Sequence, residues 1–183
     1  VDVIAPACHD TASAVAAVPA KGKNWAYLSS GTWSLLGVEN ESPIINENSL
    51  ENNFTNEGGV NGTIRFLRNT TGLWLLQGCR KQWQAEGTGL DYDELVKMAE
   101  AAPAFKCFVD PDDSSFLNPP DMPAAIAAFC RRSSQPVPEN KGEFVRCILE
   151  SLAGKYKYLI DKINAMRSRP IEILHIVGGG SQN

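Results

Sequence analysis

The sequence predicts an α/β domain, and three observations carry that prediction. Two short aromatic and β-branched runs are joined through Ser30-Gly31-Thr32, a long middle section has apolar residues at steps of three and four, and an apolar run from Ile171 to Val177 ends in three glycines. An opening hairpin, a mostly helical middle and a final strand differ from simple β-α-β-α alternation.

Taken in order, the Ala-rich stretch Asp10 to Val18 begins with a favoured N-cap residue and predicts a short helix. Trp25 to Ser29 and Trp33 to Glu39 predict the two arms of a β-hairpin, and Thr63 to Leu67 a further strand. Gly72 to Gln84, with Leu73, Leu76 and Trp83, is helical, as is Tyr92 to Ala102, which Pro103 ends. Phe105 to Val109 reads as a short strand, and Met122 to Arg132 as a helix. Glu139 to Arg169 is the longest helical stretch, its apolar stripe running through Phe144, Ile148, Leu152, Tyr156, Leu159 and Ile163. Glu172 to Val177 is the last strand. A hairpin tip and a glycine-rich turn that both approach a nucleotide are features of the actin-like, ribonuclease H-like ATPase domain, which is the arrangement expected. A glycine cluster after a strand normally hands over to a helix, so the domain is expected to be incomplete at its C-terminal end and to continue past Asn183.

Composition narrows the class. The 183 residues are 43% hydrophobic, enough for an ordinary domain core. The net charge is −4 and the 17 Lys and Arg are scattered, which excludes a basic stripe for nucleic acid. No apolar run reaches the length of a membrane span and the N-terminus has no signal-peptide pattern, so a cytoplasmic location is expected. The sequons at Asn40, Asn53, Asn61 and Asn69 are then read as coincidental. Five cysteines, Cys8, Cys79, Cys107, Cys130 and Cys147, lack Cys-x-x-Cys spacing, which argues against zinc and for buried free thiols.

The chemistry-bearing residues are few. In His9-Asp10-Thr11 a carboxylate beside a histidine and a hydroxyl at a helix start suits a proton acceptor for a polyol, although capping alone would also account for Asp10. Gly31-Thr32 at the hairpin tip suits a phosphate, yet most such tips are only turns. Asn69 and Gln77 flank an apolar helix start, and a cap and a solvated face are their plain readings. Gly178-Gly179-Gly180 permits close backbone approach to a ligand, but it fits neither the P-loop nor the Rossmann pattern.

The segments HDTASAVAAVP, YLSSGTWSLLGVE, TNEGG, RNTTGLWLLQ and LHIVGGGSQN resemble, in order and with similar gaps, signature segments of the rhamnulokinase branch of the FGGY carbohydrate kinases. The resemblance runs from about Pro6 to the end. It implies that residues 1–183 are most of the C-terminal nucleotide-binding domain of such an enzyme, whose N-terminal domain lies outside this chain. It implies ATP-dependent phosphorylation of L-rhamnulose with Mg²⁺ as cofactor, and an isolated chain without useful activity.

By the same resemblance Asp10 is the catalytic proton acceptor, with His9, Asp10, Thr11 and Asn69 contacting the ketose sugar. Thr32, Gln77 and Gly179 contact the nucleotide, and no residue is assigned as a metal ligand. Glu57-Gly58-Gly59 is shared without a chemical role. Cys130 and Cys147 have the 17-residue spacing of a pair bridged in the family, against which stands cytosolic reduction. A kinase for a related deoxy-ketose such as L-fuculose and a non-catalytic nucleotide- or sugar-sensing domain are the alternatives. The intact Asp10 argues against the sensor.

Overall fold

A computed structural model describes residues 9–182. The opening apolar segment with Cys8, and Asn183, lie outside the described residues. The chain divides into two compact units, one built from residues up to Thr70 together with residues 158–182, the other from residues 71–157.

The first unit holds helix α1 (Asp10–Ala16), strands β1 (Trp25–Ser30) and β2 (Trp33–Asn40), helix α2 (Glu47–Glu51), and strands β3 (Thr55–Gly58), β4 (Ile64–Thr71) and β5 (Ile173–Val177). The strands form one sheet in the order β3-β4-β2-β1-β5. The predicted hairpin is present, with β1 antiparallel to β2 and Ser30 opposite Ser34, so Thr32 is the central residue of the tip. β5 pairs parallel to β1, Trp25 opposite Ile173 and Ser29 opposite Val177. Val15 of α1 packs on Tyr27 and Leu67, flanked by Trp25 and Leu35. Strands crowd closely at Gly37, where a Cβ would meet Leu67 Cβ at 2.5 Å, the Phe66 carbonyl at 2.6 Å and Tyr27 Oη at 2.8 Å.

Strand β3 escaped the sequence reading because Thr55-Asn56-Glu57-Gly58 has no apolar alternation. Polar side chains hold it instead. Asn56 bonds both backbone groups of Ile44, and the buried Arg65 of β4 pairs with Glu57 at 2.7 Å. Glu57 of the shared TNEGG segment is thus a partner for a buried guanidinium. Helix α2 begins with a reciprocal Asn46–Ser49 capping box.

The second unit is helical: α3 (Trp74–Ala85), α4 (Tyr92–Ala101), a short 3-10 turn (Ser114–Phe116), α5 (Met122–Arg132) and most of α6 (Lys141–Met166), whose last residues belong to the first unit. Its core gathers Leu75, Leu76 and Trp83 of α3, Leu95 of α4, Phe116, Ile126 of α5 and Ile148 of α6. Each fully buried aliphatic side chain of this kind contributes about 1.5–3 kcal/mol. Asp91 and Glu94 form a capping box at the start of α4, and Asp121 caps α5.

The strand expected over Phe105 to Val109 is absent. Its backbone groups are satisfied by side chains from helices and loops rather than by a neighbouring strand: Phe105 N–H donates to Glu150 and Val109 N–H to Ser151 Oγ. Gln135 bonds both the N–H and the carbonyl of Phe108. Phe105 itself sits at φ 57°, which breaks an extended run. The segment is anchored by Lys106, whose ammonium lies 2.8 Å from the buried Glu143, and by Lys155, at 2.9 Å from both Asp110 and Asp112.

Candidate functional site

α1 starts one residue earlier than the capping argument implies. His9, with extended φ −98° and ψ 130°, is the N-cap, its Nδ1 accepting from Thr11 N–H at 3.3 Å. Asp10 is the first helical residue instead, and its Oδ1 accepts from the same N–H at 2.7 Å. Asp10 Oδ1 also lies 3.2 Å from His9 Nδ1 and 3.4 Å from Thr11 Oγ1. Thr11 is buried, whereas the Asp10 side chain is 96% exposed. The three residues are therefore together, with a carboxylate oriented at its base by a backbone N–H and open to solvent at its tip.

The two expected phosphate-contacting elements converge at one end of β1. β1 ends at Ser30, beside the hairpin tip that carries Thr32, while the parallel strand β5 delivers the glycine turn to the same end. Gly178 sits at φ +90° and a Cβ on it would meet the Ser30 carbonyl at 2.6 Å. A Cβ on Gly180 would strike Ser30 Oγ and come within 2.9 Å of Ser30 Cβ. Gly179, between them, faces open space. The turn is closed by Ser181, whose hydroxyl donates to the Gly178 carbonyl at 2.7 Å. The flanking glycines thus dock the turn and leave the middle one bare toward solvent, where a phosphate can approach backbone.

Asn69 is exposed within β4, several residues before α3, so it is not a helix cap; the N-cap position of α3 is Leu73, which makes no side-chain cap bond. Gln77 is half-buried on α3 and belongs to the second unit. Cys130 and Cys147, matched to a bridged pair, are both free. No helix among the described residues is long and apolar enough to cross a membrane.

Sequence reasoning missed Ser30, the residue on which the glycine turn is seated. Ser30 lies within the YLSSGTWSLLGVE segment, but nothing in that segment pairs it with the glycines, and only the β1–β5 register brings it to them. It also gave no sign of a cavity of about 480 Å³ lined by Lys23, Trp25, Glu39, Arg167 and Arg169. This cavity includes Trp25, at the other end of β1 from Ser30, and none of the residues assigned above.

Comparison with known proteins gives a consistent result. Residues 26–183 match the FGGY family of carbohydrate kinases, C-terminal domain. The chain is 52% identical to a rhamnulokinase of Bacteroides thetaiotaomicron over 183 residues, which is 100% of this chain and 37% of the relative. It is 45% identical to a rhamnulokinase of Bacillus subtilis over 181 residues, 99% of this chain and 37% of that one. It therefore spans little more than a third of the length of these curated relatives. Among solved structures, the xylulose kinase from Rhodospirillum rubrum aligns with a TM-score of 0.64 and 15% identity over 93% of this chain and 33% of its own. The xylulose kinase from Bifidobacterium adolescentis gives 0.54 and 20% over 88% and 30%. At such identities the structural likeness speaks to the fold alone, which is mixed α/β and actin-like.

Proposed function

Because the chain belongs to the FGGY family of carbohydrate kinases, we propose that it supplies most of the C-terminal domain of a cytoplasmic enzyme that transfers the γ-phosphoryl group of ATP to L-rhamnulose, giving L-rhamnulose 1-phosphate. The observation that carries this reading is the 52% identity to a rhamnulokinase across the whole chain.

Asp10 accepts the proton of the sugar's primary hydroxyl as that oxygen bonds to phosphorus, and His9, Thr11 and Asn69 hold the ketose. The solvent-facing Asp10 carboxylate, fixed at Oδ1 by Thr11 N–H, suits that task. Thr32, Gly179 and Gln77 contact the nucleotide. The bare Gly179 backbone and the hairpin tip at one end of β1 supply N–H dipoles to the charge that builds on the transferring group.

Magnesium, a hard cation that takes oxygen ligands, fits a site whose assigned carboxylate is Asp10 only if the nucleotide phosphates provide most of its ligands. It would neutralise phosphate charge there. The N-terminal domain of the same polypeptide completes the sugar pocket. The test is ADP release by the full-length protein with ATP and L-rhamnulose, with phosphorus NMR to locate the new ester. Faster turnover of L-fuculose, or nucleotide binding without turnover of either sugar, would reject the assignment.

A further inference from the structure

The end of the sheet remote from the hairpin tip holds the cavity of about 480 Å³, which the kinase reading leaves unused. It lies where β1 begins and β2 ends, beside the segment that leads from α6 into β5. The six residues of β1 put it about 17 Å from the hairpin tip. Three cations, Lys23, Arg167 and Arg169, share its lining with two carboxylates, Glu39 and Glu41, and with Trp25. We propose that this cavity is a second ligand site, one that takes a phosphorylated sugar.

Unused donors are the first support. Lys23 takes up Glu41, to which its ammonium donates, and Glu39 Oε1 is 3.0 Å from the Thr63 hydroxyl. Neither arginine has a carboxylate within ion-pair distance among the described residues. Arg167 donates through Nη2 to the Lys23 carbonyl at 3.3 Å, while its Nη1 is buried without a partner. Asn40 Nδ2, in the same lining, is buried and unpartnered too. A clamp on the Lys23 carbonyl accounts for one nitrogen of Arg167 and for neither Arg169 nor Asn40. Burial first, and then the nearby Arg169, lower the basicity of Arg167. The field of Arg169 also reaches Glu41, whose carboxyl Lys23 already holds below the usual carboxylate range. Buried donors without acceptors are costly, and an oxyanion between the two guanidinium groups relieves both that cost and their mutual repulsion.

The lining also selects what the oxyanion is attached to. Guanidinium groups match phosphate oxygens with parallel hydrogen bonds, and the Asn40 amide adds a neutral donor. Three cations against two carboxylates leave one positive charge for an anion. Glu39 can accept from hydroxyl groups, and Trp25 offers apolar surface to a carbon skeleton, neither of which a bare phosphate uses. The volume falls within the range of about 300–1,000 Å³ typical of small-molecule sites. The site does not rest on the kinase reading, although a sugar phosphate is the class of compound that a sugar kinase releases.

The test labels the full-length protein with 5-fluorotryptophan and follows fluorine NMR signals assigned through Trp25→Phe and Trp33→Phe. D-Fructose 1-phosphate is the probe, and it should shift the Trp25 signal saturably. Trp33, beside the hairpin tip, is the separate reporter for ATP. Arg169→Ala should weaken the Trp25 response by more than about ten-fold, the scale of a lost charged hydrogen bond. Arg169 is exposed and holds no hydrogen bond or ion pair among the described residues, so this variant should fold. D-Fructose and inorganic phosphate should each bind more weakly than the probe by at least about ten-fold. An unmoved Trp25 signal at millimolar probe, undiminished affinity in Arg169→Ala, or inorganic phosphate binding as tightly as the sugar phosphate each overturns the proposal.

Discussion

Gly180 faces Ser30 so closely that a Cβ on the glycine would stand 2.9 Å from Ser30 Cβ and collide with its hydroxyl. Gly180→Ala should therefore displace the glycine turn and destabilise the fold by about 1–3 kcal/mol, as overpacking does. Ser30→Gly, which removes both colliding atoms, should restore part of that loss, and a double-mutant cycle in urea unfolding measures the coupling. Gly179→Ala should behave differently. It adds its methyl to open space, so unfolding should change little while ATP binding by the full-length enzyme weakens.

Asp10→Asn in the full-length protein should lower kcat by roughly two to four orders of magnitude, the usual scale of acid–base catalysis, with ATP affinity little changed. The amide oxygen can still accept from Thr11 N–H, and His9 rather than Asp10 is the cap, so α1 should persist by circular dichroism. A near-normal kcat would leave Asp10 with a local structural role alone.

Gly37→Ala tests the sheet. The added methyl meets the Phe66 carbonyl at 2.6 Å and Leu67 Cβ at 2.5 Å, both anchored on an adjacent strand. A loss at the upper end of about 1–3 kcal/mol is expected from urea denaturation, with the sheet spread locally.

Asp113 makes a prediction in acid. Hydrogen bonds from the Ser115 hydroxyl at 2.6 Å, from Arg132 and from Ser115 N–H hold its carboxyl down at about 2. A group whose pKa is depressed on folding stabilises fully above its unfolded value, about 3.9. That contribution is lost as pH falls from there through about 2. Unfolding free energy measured across this window should decline in the wild type, with a smaller slope in Asp113→Asn.

Local periodicity made the hairpin and the long helices legible, since Trp25–Ser30, Trp33–Asn40 and Met122–Arg132 follow from residues that are neighbours in sequence. What it missed depends on partners far along the chain. β3 exists because Arg65 and Asn56 hold polar backbone in place, and Phe105 to Val109 is not a strand because Glu150, Gln135 and Ser151 satisfy it first. At the candidate site, Asp10, Thr32 and Gly179 were singled out through a family resemblance. The substitution of His9 for Asp10 as cap and the seat on Ser30 needed coordinates, because each is set by geometry that spacing does not encode.

The strand register also dictates a sequence of events during synthesis. β5 closes onto β1 after an excursion of well over a hundred residues, while residues 71–157 form a continuous stretch that makes up one compact unit. Local contacts form fast and distant parallel pairing is slow. A ribosome therefore releases a helical segment able to condense while β1 still waits for its parallel neighbour, and the glycine turn is seated on Ser30 only after β5 has emerged. Pulse-labelled hydrogen exchange during refolding should find amides of α3 and α5 protected before those of β1 facing β5.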